Sequence, residues 1–151
     1  MARRAIKEGI YSDLRGSATL LALLGPVSLS NRRIYNGWPQ DSPRLTGIEP
    51  DEGWLIFFEE QSVILWDTTE EEVYMDFHIW VTRLSLAEDV IDVLDTLYHW
   101  KLAGQNSRTF EERNVVHSQR IHAIDSYDDE IKLYRKIGRY RFKTVKVPFG
   151  A

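Results

Sequence analysis

Asp76 and His78 are the residues of this chain that most resemble a catalytic pair. They stand two positions apart in the alternating segment 73–81, VYMDFHIWV, so a β-strand there places both side chains on one face of a sheet. A carboxylate beside an imidazole can act in general acid–base catalysis. No nucleophile accompanies them, because the chain has no cysteine and no serine in a G-x-S-x-G turn. The preferred interpretation is a polar pair facing solvent or a partner, and a small enzyme using Asp76 and His78 is a distant alternative.

Metal ligation is a second chemistry that the residue types could support. His117 and His122 lie five residues apart in one predicted strand, a spacing that predicts opposite faces and therefore no shared ion. The acidic segment 125–130, DSYDDE, resembles the start of a calcium loop. It has Glu130 where such a loop needs glycine, and Lys136 where the loop needs a bidentate glutamate. The glycine patterns of nucleotide-binding loops are absent from the sequence, so no metal and no cofactor are predicted.

The second face of the segment 73–81 is rich in aromatic side chains. Tyr74, His78 and Trp80 alternate with the apolar residues and must face away from the core that those residues form. The free face of an antiparallel sheet is normally polar, whereas exposed tyrosine and tryptophan are enriched in protein–protein contacts. These three residues are therefore interface candidates, unless a helix covers this face of the sheet as well.

A basic row occurs late in the sequence. Arg139, Arg141 and Lys143 occupy alternate positions and share one face of a predicted strand, opposite Tyr140 and Phe142. Such a row can contact phosphates or acidic partners, or it can be a solvated face whose charges prevent aggregation through sheet edges. We expect the solvated face, and the three basic residues are secondary candidates for protein contacts.

Apolar periodicity places these residues on a series of helices and strands. Ile6, Ile10 and Leu14 recur at helical spacing and predict a helix over 3–15, and Ser17 can cap a second short helix that ends at Gly25. Ser85 and Glu88 have the spacing of a capping box and predict a third helix, which ends near Gly104. Its apolar stripe comprises Val90, Ile91, Leu94, Leu97 and Tyr98. Strands are predicted within 32–35, 54–60, 62–66, 73–83, 114–125 and 130–147.

This order of helices and strands predicts an α+β fold in which helices pack on one face of an antiparallel β-sheet. One domain is expected over residues 1–151, because the length suits a single domain. Residues 25–53 form a long connection, and its aromatic residues indicate an ordered one.

Composition limits the classes of function. The net charge of −4 argues against generic nucleic-acid binding, which usually requires a basic excess. The lack of cysteine excludes disulfides and suits a reducing cytosol. The apolar run before Gly25 has about seven residues, the low limit for a secretory signal, and Glu8 and Asp13 interrupt the segment that leads to it. The run is far too short for a membrane span. A soluble protein without membrane association is expected.

Several motifs resemble those of phage tail-completion proteins, the tail terminators of long-tailed phages. The segments ATLLALLG (18–25) and RIYNGWPQDSP (33–43) are similar to the family's short leucine-rich helix and its proline-bounded connection. FHIWVTRLSLAEDVIDVLDTLY (77–98) resembles its alternating strand and following helix, and GRYRFKTVKV (138–147) its final strand. The resemblance extends over about residues 6–147.

The resemblance implies a structural role in the virion without covalent chemistry. Such proteins form a ring, typically hexameric, at the head-proximal end of the tail after assembly in the host cytoplasm. The ring caps the tail-tube protein, stops its polymerisation and joins the neck or head-completion protein, and DNA only passes through its lumen. A neck adaptor or a tail-tube protein is the alternative. Trp38, in the proline-bounded connection, joins Tyr74, His78 and Trp80 as an interface candidate, and Trp38 or Trp80 is expected to be buried between subunits.

Overall fold

The computed structural model describes residues 2–24, 34–36, 53–65, 70–99, 108–110, 113–129 and 132–146, and the structural statements below concern these residues. The described helices are α1 (Ala2–Arg15), α2 (Ala18–Leu24) and α3 (Leu84–Tyr98). The described strands are β1 (Ile34–Asn36), β2 (Gly53–Leu65), β3 (Glu70–Val81), β4 (Arg108–Phe110), β5 (Arg113–Asp128) and β6 (Leu133–Lys146). The predicted α+β class is confirmed.

The strands form one sheet in the order β1-β2-β3-β6-β5-β4. Four of the pairings are antiparallel, as predicted, and β1 adds a parallel edge beside Leu55–Phe57. The segment 62–66, predicted to continue the sheet after the strand at 54–60, does continue it as far as Leu65 within one strand, β2, which has an irregularity between Glu59 and Gln61. The outer strands β1 and β4 are short, so the sheet consists mainly of β2, β3, β6 and β5.

The hydrophobic core lies between the three described helices and one face of this sheet. In β3 the alternating residues Val73, Met75, Phe77, Ile79 and Val81 are all buried, which confirms the predicted inward row. The stripes of α1 and α3 meet this row, and their buried residues are Ile6, Ile10, Leu14, Val90, Ile91, Leu94 and Tyr98. Tyr140 of β6 donates a hydrogen bond of 2.7 Å from its hydroxyl to Asp95 of α3. Burial and this carboxylate raise the pKa of Tyr140, so the phenol stays protonated and links the two layers.

The ends of the helices differ in part from the prediction. Ser17 caps α2 as expected, since its Oγ accepts a hydrogen bond from the Leu20 amide. The prediction of a capping box at Ser85 and Glu88 is wrong, because Arg83 is the N-cap residue and its side chain makes no capping hydrogen bond. The end near Gly104 is also wrong: α3 stops at Tyr98, and His99 has extended backbone angles. No helix within the described ranges is long and apolar enough to cross a membrane.

The two strand histidines are positioned differently from the expectation. His117 opposes Lys143 and His122 opposes Arg139, two residues of β6 that share a face. The irregularity between Arg120 and His122 inserts one extra residue and returns His122 to the face of His117. The prediction of opposite faces is therefore wrong. Four strand positions still separate the two imidazoles, about 13 Å, which is too far for one ion. The described residues contain no group of three or more metal-ligating side chains.

Candidate functional site

An ion pair lies at the centre of the sheet face opposite the helices. The Arg139 guanidinium donates two hydrogen bonds to the Asp76 carboxylate, from Nε to Oδ1 at 2.7 Å and from Nη2 to Oδ2 at 3.0 Å. Antiparallel pairing of β3 with β6 sets the two residues directly opposite each other. The Asp76 side chain is 7% exposed and that of Arg139 is 32% exposed. Because both carboxylate oxygens already bind the guanidinium, Asp76 is poorly placed to act as a general base.

His78 is buried beside this pair on the same face of β3. Burial lowers the pKa of His78, and the positive charge of Arg135 lowers it further, while Asp76 acts in the opposite direction. The imidazole is therefore held neutral at pH 7. Asp76 and His78 do share a face, as the alternation predicted, but the carboxylate is engaged with Arg139. This geometry favours a structural role over acid–base chemistry.

Trp80 continues the face toward the β5–β6 turn. Its side chain is buried, at 6% exposure, and the Arg135 guanidinium stacks on its ring at 5.1 Å from the centroid. Such a cation–π contact stabilises by roughly 0.5–2 kcal/mol, depending on solvent exposure. The expected exposed aromatic row is therefore largely covered within the chain itself: His78 and Trp80 are buried, and Tyr74 is only partly exposed.

The basic row lies on the predicted face of β6. Arg139, Arg141 and Lys143 oppose Asp76, Tyr74 and Glu72 of β3, respectively. Arg141 donates a hydrogen bond of 3.1 Å to Gln119, and its Nε lacks a partner among the described residues. All three basic residues are partly exposed, so they are more available to a partner than His78 or Trp80.

Tyr74 extends this face toward the far end of β3. Its hydroxyl donates a hydrogen bond of 3.1 Å to Glu72. Burial, together with the hydrogen bond and negative charge of Glu72, raises the pKa of Tyr74, and nearby Arg141 partly opposes that rise. The phenol therefore stays protonated, and its hydroxyl can donate its hydrogen bond to an acceptor on a partner in place of Glu72.

A shallow depression adjoins Trp80 at the end of the hairpin that β5 and β6 form. It has a volume of about 400 Å³ and is lined by Trp80, Ser126, Tyr127, Asp128, Asp129 and Arg135. The indole Nε1 of Trp80 has no hydrogen-bond partner in the described part of the chain. This atom is buried, so it is the acidic rim, with Asp128 and Asp129, that makes the depression suitable for a basic side chain of a partner.

Sequence reasoning missed Arg135 and the pairing of Asp76 with Arg139. Arg135 stands an even number of positions before Arg139 and Arg141 in the same predicted strand. The sequence therefore did indicate that Arg135 shares their face. The ion pair joins positions 63 residues apart and depends on the register of β3 on β6, which no local pattern reveals. Trp38 and most of the connection 25–53 lie outside the described residues.

Comparisons with known proteins identify the fold. A chain from the virion of a native gene transfer agent particle superposes with a TM-score of 0.63 and is 16% identical in sequence. The match covers 94% of this chain and 96% of that chain. No family model and no curated protein sequence matches this chain. The likeness shows a shared fold over nearly the whole length of both chains.

The ion pair provides a direct test of how this face is held together. Asp76→Asn removes the carboxylate and leaves the half-buried guanidinium of Arg139 with weaker acceptors, so we expect a loss of about 1–3 kcal/mol of unfolding free energy. Urea melts at pH 7 measure it. Asp125→Asn is the matched control, because Asp125 binds Lys136 at 2.8 Å through a side chain that is 45% exposed, and such pairs contribute about 1 kcal/mol or less. Equal losses for the two variants would contradict the assigned burial.

Proposed function

We propose that this chain is a structural protein of a phage-like virion. The observation that carries the proposal is the fold shared with a chain of a gene transfer agent virion, which extends over 94% of this chain. The site geometry supports it, because the Asp76 carboxylate is engaged by Arg139 and His78 is buried. The distant alternative of a small enzyme using Asp76 and His78 has less support, since it would have to break this ion pair.

Within the virion, we assign the chain the role of a tail terminator. The ring is taken as hexameric on the basis of the family resemblance. It caps the tail tube, stops its polymerisation and joins the tail to the neck at the head-proximal end, while DNA passes through the lumen. The motifs at 18–25 and 33–43 support this finer assignment. A neck or head-completion adaptor, or a tail-tube protein, is the second candidate.

The polar face of the sheet is the proposed contact surface. Arg141, Lys143 and Tyr74 are its partly exposed members, and they can bind acidic or hydroxyl groups of a neighbouring subunit or of the tube. His78 and Trp80 belong to the same face but are buried, and they support the exposed residues by packing within the chain. Trp38 remains a candidate through its place in the proline-bounded connection.

Tube length is the measurement that tests the terminator role. Purified tail-tube protein of the same phage is polymerised with and without this protein, and tube lengths are measured by negative-stain electron microscopy. We expect short tubes of narrow length distribution with the protein, each with one blunt, capped end, and long irregular tubes without it. Unchanged lengths, with the protein bound to isolated heads instead, would support the neck adaptor. Incorporation of the protein along the tubes would identify a tail-tube protein.

A further inference from the structure

The second half of β5 is a free edge of the sheet. On its outer side, β4 pairs only with Arg113–Val115. The Arg120 amide then donates a hydrogen bond of 2.9 Å to His99 Nδ1, and the Ser118 hydroxyl donates one to the Tyr98 carbonyl. From residue 121 to 128 the described strands pair with β5 only through β6, and most of these side chains are exposed.

This free edge is more apolar than an exposed edge usually is. Ile121, Ile124 and Tyr127 are 44%, 55% and 49% exposed. Natural edges are commonly blocked by charges or proline, but the carboxylate of Asp125 is neutralised by Lys136 at 2.8 Å. An edge with unpaired backbone groups and apolar side chains binds another strand by extending the sheet.

A second free edge of equal length lies at the other side of the same sheet. The strand β1 pairs only with Leu55–Phe57 of β2, so residues 58–65 have no partner on that side among the described strands. Three antiparallel pairings separate β2 from β5, and the two strands therefore run in opposite directions. When two copies stand side by side in the same orientation, β5 of one meets β2 of the next in the favoured antiparallel sense.

The two free edges lie at opposite ends of the sheet, and this offset fits a closed ring. Residues paired across a sheet share a face, so Ile124, which is in register with His78 of the polar face, is set opposite Val63 of the next copy, which is in register with Glu72 of the same face. Within one copy Ile124 is level with His78 and Val63 with Glu72, an offset of six residues along β3, or about 20 Å. The four long strands span about 19 Å. The strands would therefore tilt by roughly 45° from the ring axis, at the upper end of the range of closed barrels.

We propose that residues 121–128 of β5 pair with residues 58–65 of β2 in a second copy of this chain. The contact is heterologous, because each copy uses two different edges, and repeated contacts of this kind close into a ring. The depression beside Trp80 borders the same edge and receives a side chain of the neighbour. The proposal rests on the proposed function in one respect, namely that the ring is the form that acts on the tube.

Disulfide trapping tests the contact, because the chain contains no cysteine of its own. Ile124→Cys and Val63→Cys are made as separate proteins, mixed and oxidised, with Gln61→Cys and Leu65→Cys covering a shift of register by two residues. We expect a crosslinked dimer from the mixture at least tenfold faster than from either protein alone, and a ladder of oligomers from the double variant. Rapid dimers from Ile124→Cys alone would mean β5-to-β5 pairing and overturn the proposal. So would a rate equal to that of Thr96→Cys mixed with Val63→Cys, since Thr96 is exposed on α3.

A charge on the edge separates this contact from the tail-terminator role. Ile124→Lys, with Thr96→Lys as control, is expected to keep the parent melting temperature and to lose at least tenfold in the crosslinking rate, measured with Ala123→Cys in both backgrounds against Ile64→Cys. Unchanged crosslinking in Ile124→Lys overturns the contact. If the parent stops tube growth and the cysteines do not crosslink, the terminator role stands and the edge contact fails. If they crosslink and tubes grow unchanged, the edge contact stands and the terminator role fails.

Discussion

Phe77→Ala is expected to lower the unfolding free energy by about 3–5 kcal/mol, as large-to-small changes at buried aromatic positions do. Phe77 is fully buried on β3. Its ring centroid lies 5.7 Å from Phe57, 6.2 Å from Tyr98 and 5.2 Å from Tyr140. The substitution therefore opens a cavity where strands β2, β3 and β6 meet helix α3. Domains are stable by about 5–15 kcal/mol in total, so the variant approaches the limit of folding.

Chemical denaturation monitored by tryptophan fluorescence measures this loss. Ile124→Ala is the control, because Ile124 is 55% exposed and surface changes usually stay within about 0.5 kcal/mol. A loss below about 1 kcal/mol for Phe77→Ala would mean that Phe77 does not lie at the centre of the core.

Elements with a strong local period are the ones that the sequence predicts well. The strict alternation at 73–81 identifies both faces of β3, because a strand that is buried on one side must repeat every two residues. The helical stripe at Ile6, Ile10 and Leu14 predicts α1 almost to its ends for the same kind of reason. Local periodicity therefore supplied the inward row and the position of the candidate face.

Element boundaries depend on contacts that a local pattern does not contain. The motif at Ser85 and Glu88 predicts a cap, yet the helix begins at Leu84, and Ser85 lies inside its first turn. At the other end, His99 leaves the helix and its imidazole accepts the Arg120 amide of β5. This tertiary contact ends α3 before Gly104, although the helical pattern could have continued.

The candidate face depends on register, and register was the part that sequence reasoning could not obtain. The partner of Asp76 is fixed only when β6 pairs with β3. One inserted residue near Ile121 reverses the predicted orientation of His122 relative to His117. The burial of Trp80 follows from its stacking with Arg135 and from its surroundings, so exposure could not be inferred from alternation alone.

Burial of the polar face limits how this protein can make contacts. If the aromatic row of β3 were exposed, it would offer a partner a large apolar area. His78 and Trp80 of that row are instead buried within the chain. Among the described residues, the large exposed apolar side chains lie instead on the hairpin of β5 and β6: Ile121, Ile124, Tyr127 and Tyr134. The sheet edge therefore offers a partner more new apolar contact area than the face does. The basic residues of the face contribute mainly to the orientation of the bound partner.

Tyr98 offers a second large effect and separates two contributions within one side chain. Its ring is fully buried and packs edge-on against Phe142 at 5.2 Å and against Tyr140 at 6.5 Å. Its hydroxyl donates a hydrogen bond of 2.8 Å to Asp13, which ties α3 to α1. We expect Tyr98→Phe to cost about 0.5–1.5 kcal/mol through the lost hydrogen bond, and Tyr98→Ala to cost about 3–5 kcal/mol through the added cavity.

A double-mutant cycle that combines Tyr98→Phe with Asp13→Ala tests whether the smaller loss comes from the hydrogen bond between Tyr98 and Asp13. Since Tyr98 and Asp13 are in direct contact, the cost of Tyr98→Phe should shrink by about 0.5 kcal/mol or more when Asp13 is already absent. Hydrogen exchange should show faster exchange of the α1 amides in Tyr98→Phe, while the central amides of β3 and β6 keep their protection. Additive costs in the cycle, with α1 exchange unchanged, would show that the hydroxyl does not hold α1 against α3, and the docking of α1 would then depend mainly on its apolar stripe, which includes Ile6, Ile10 and Leu14.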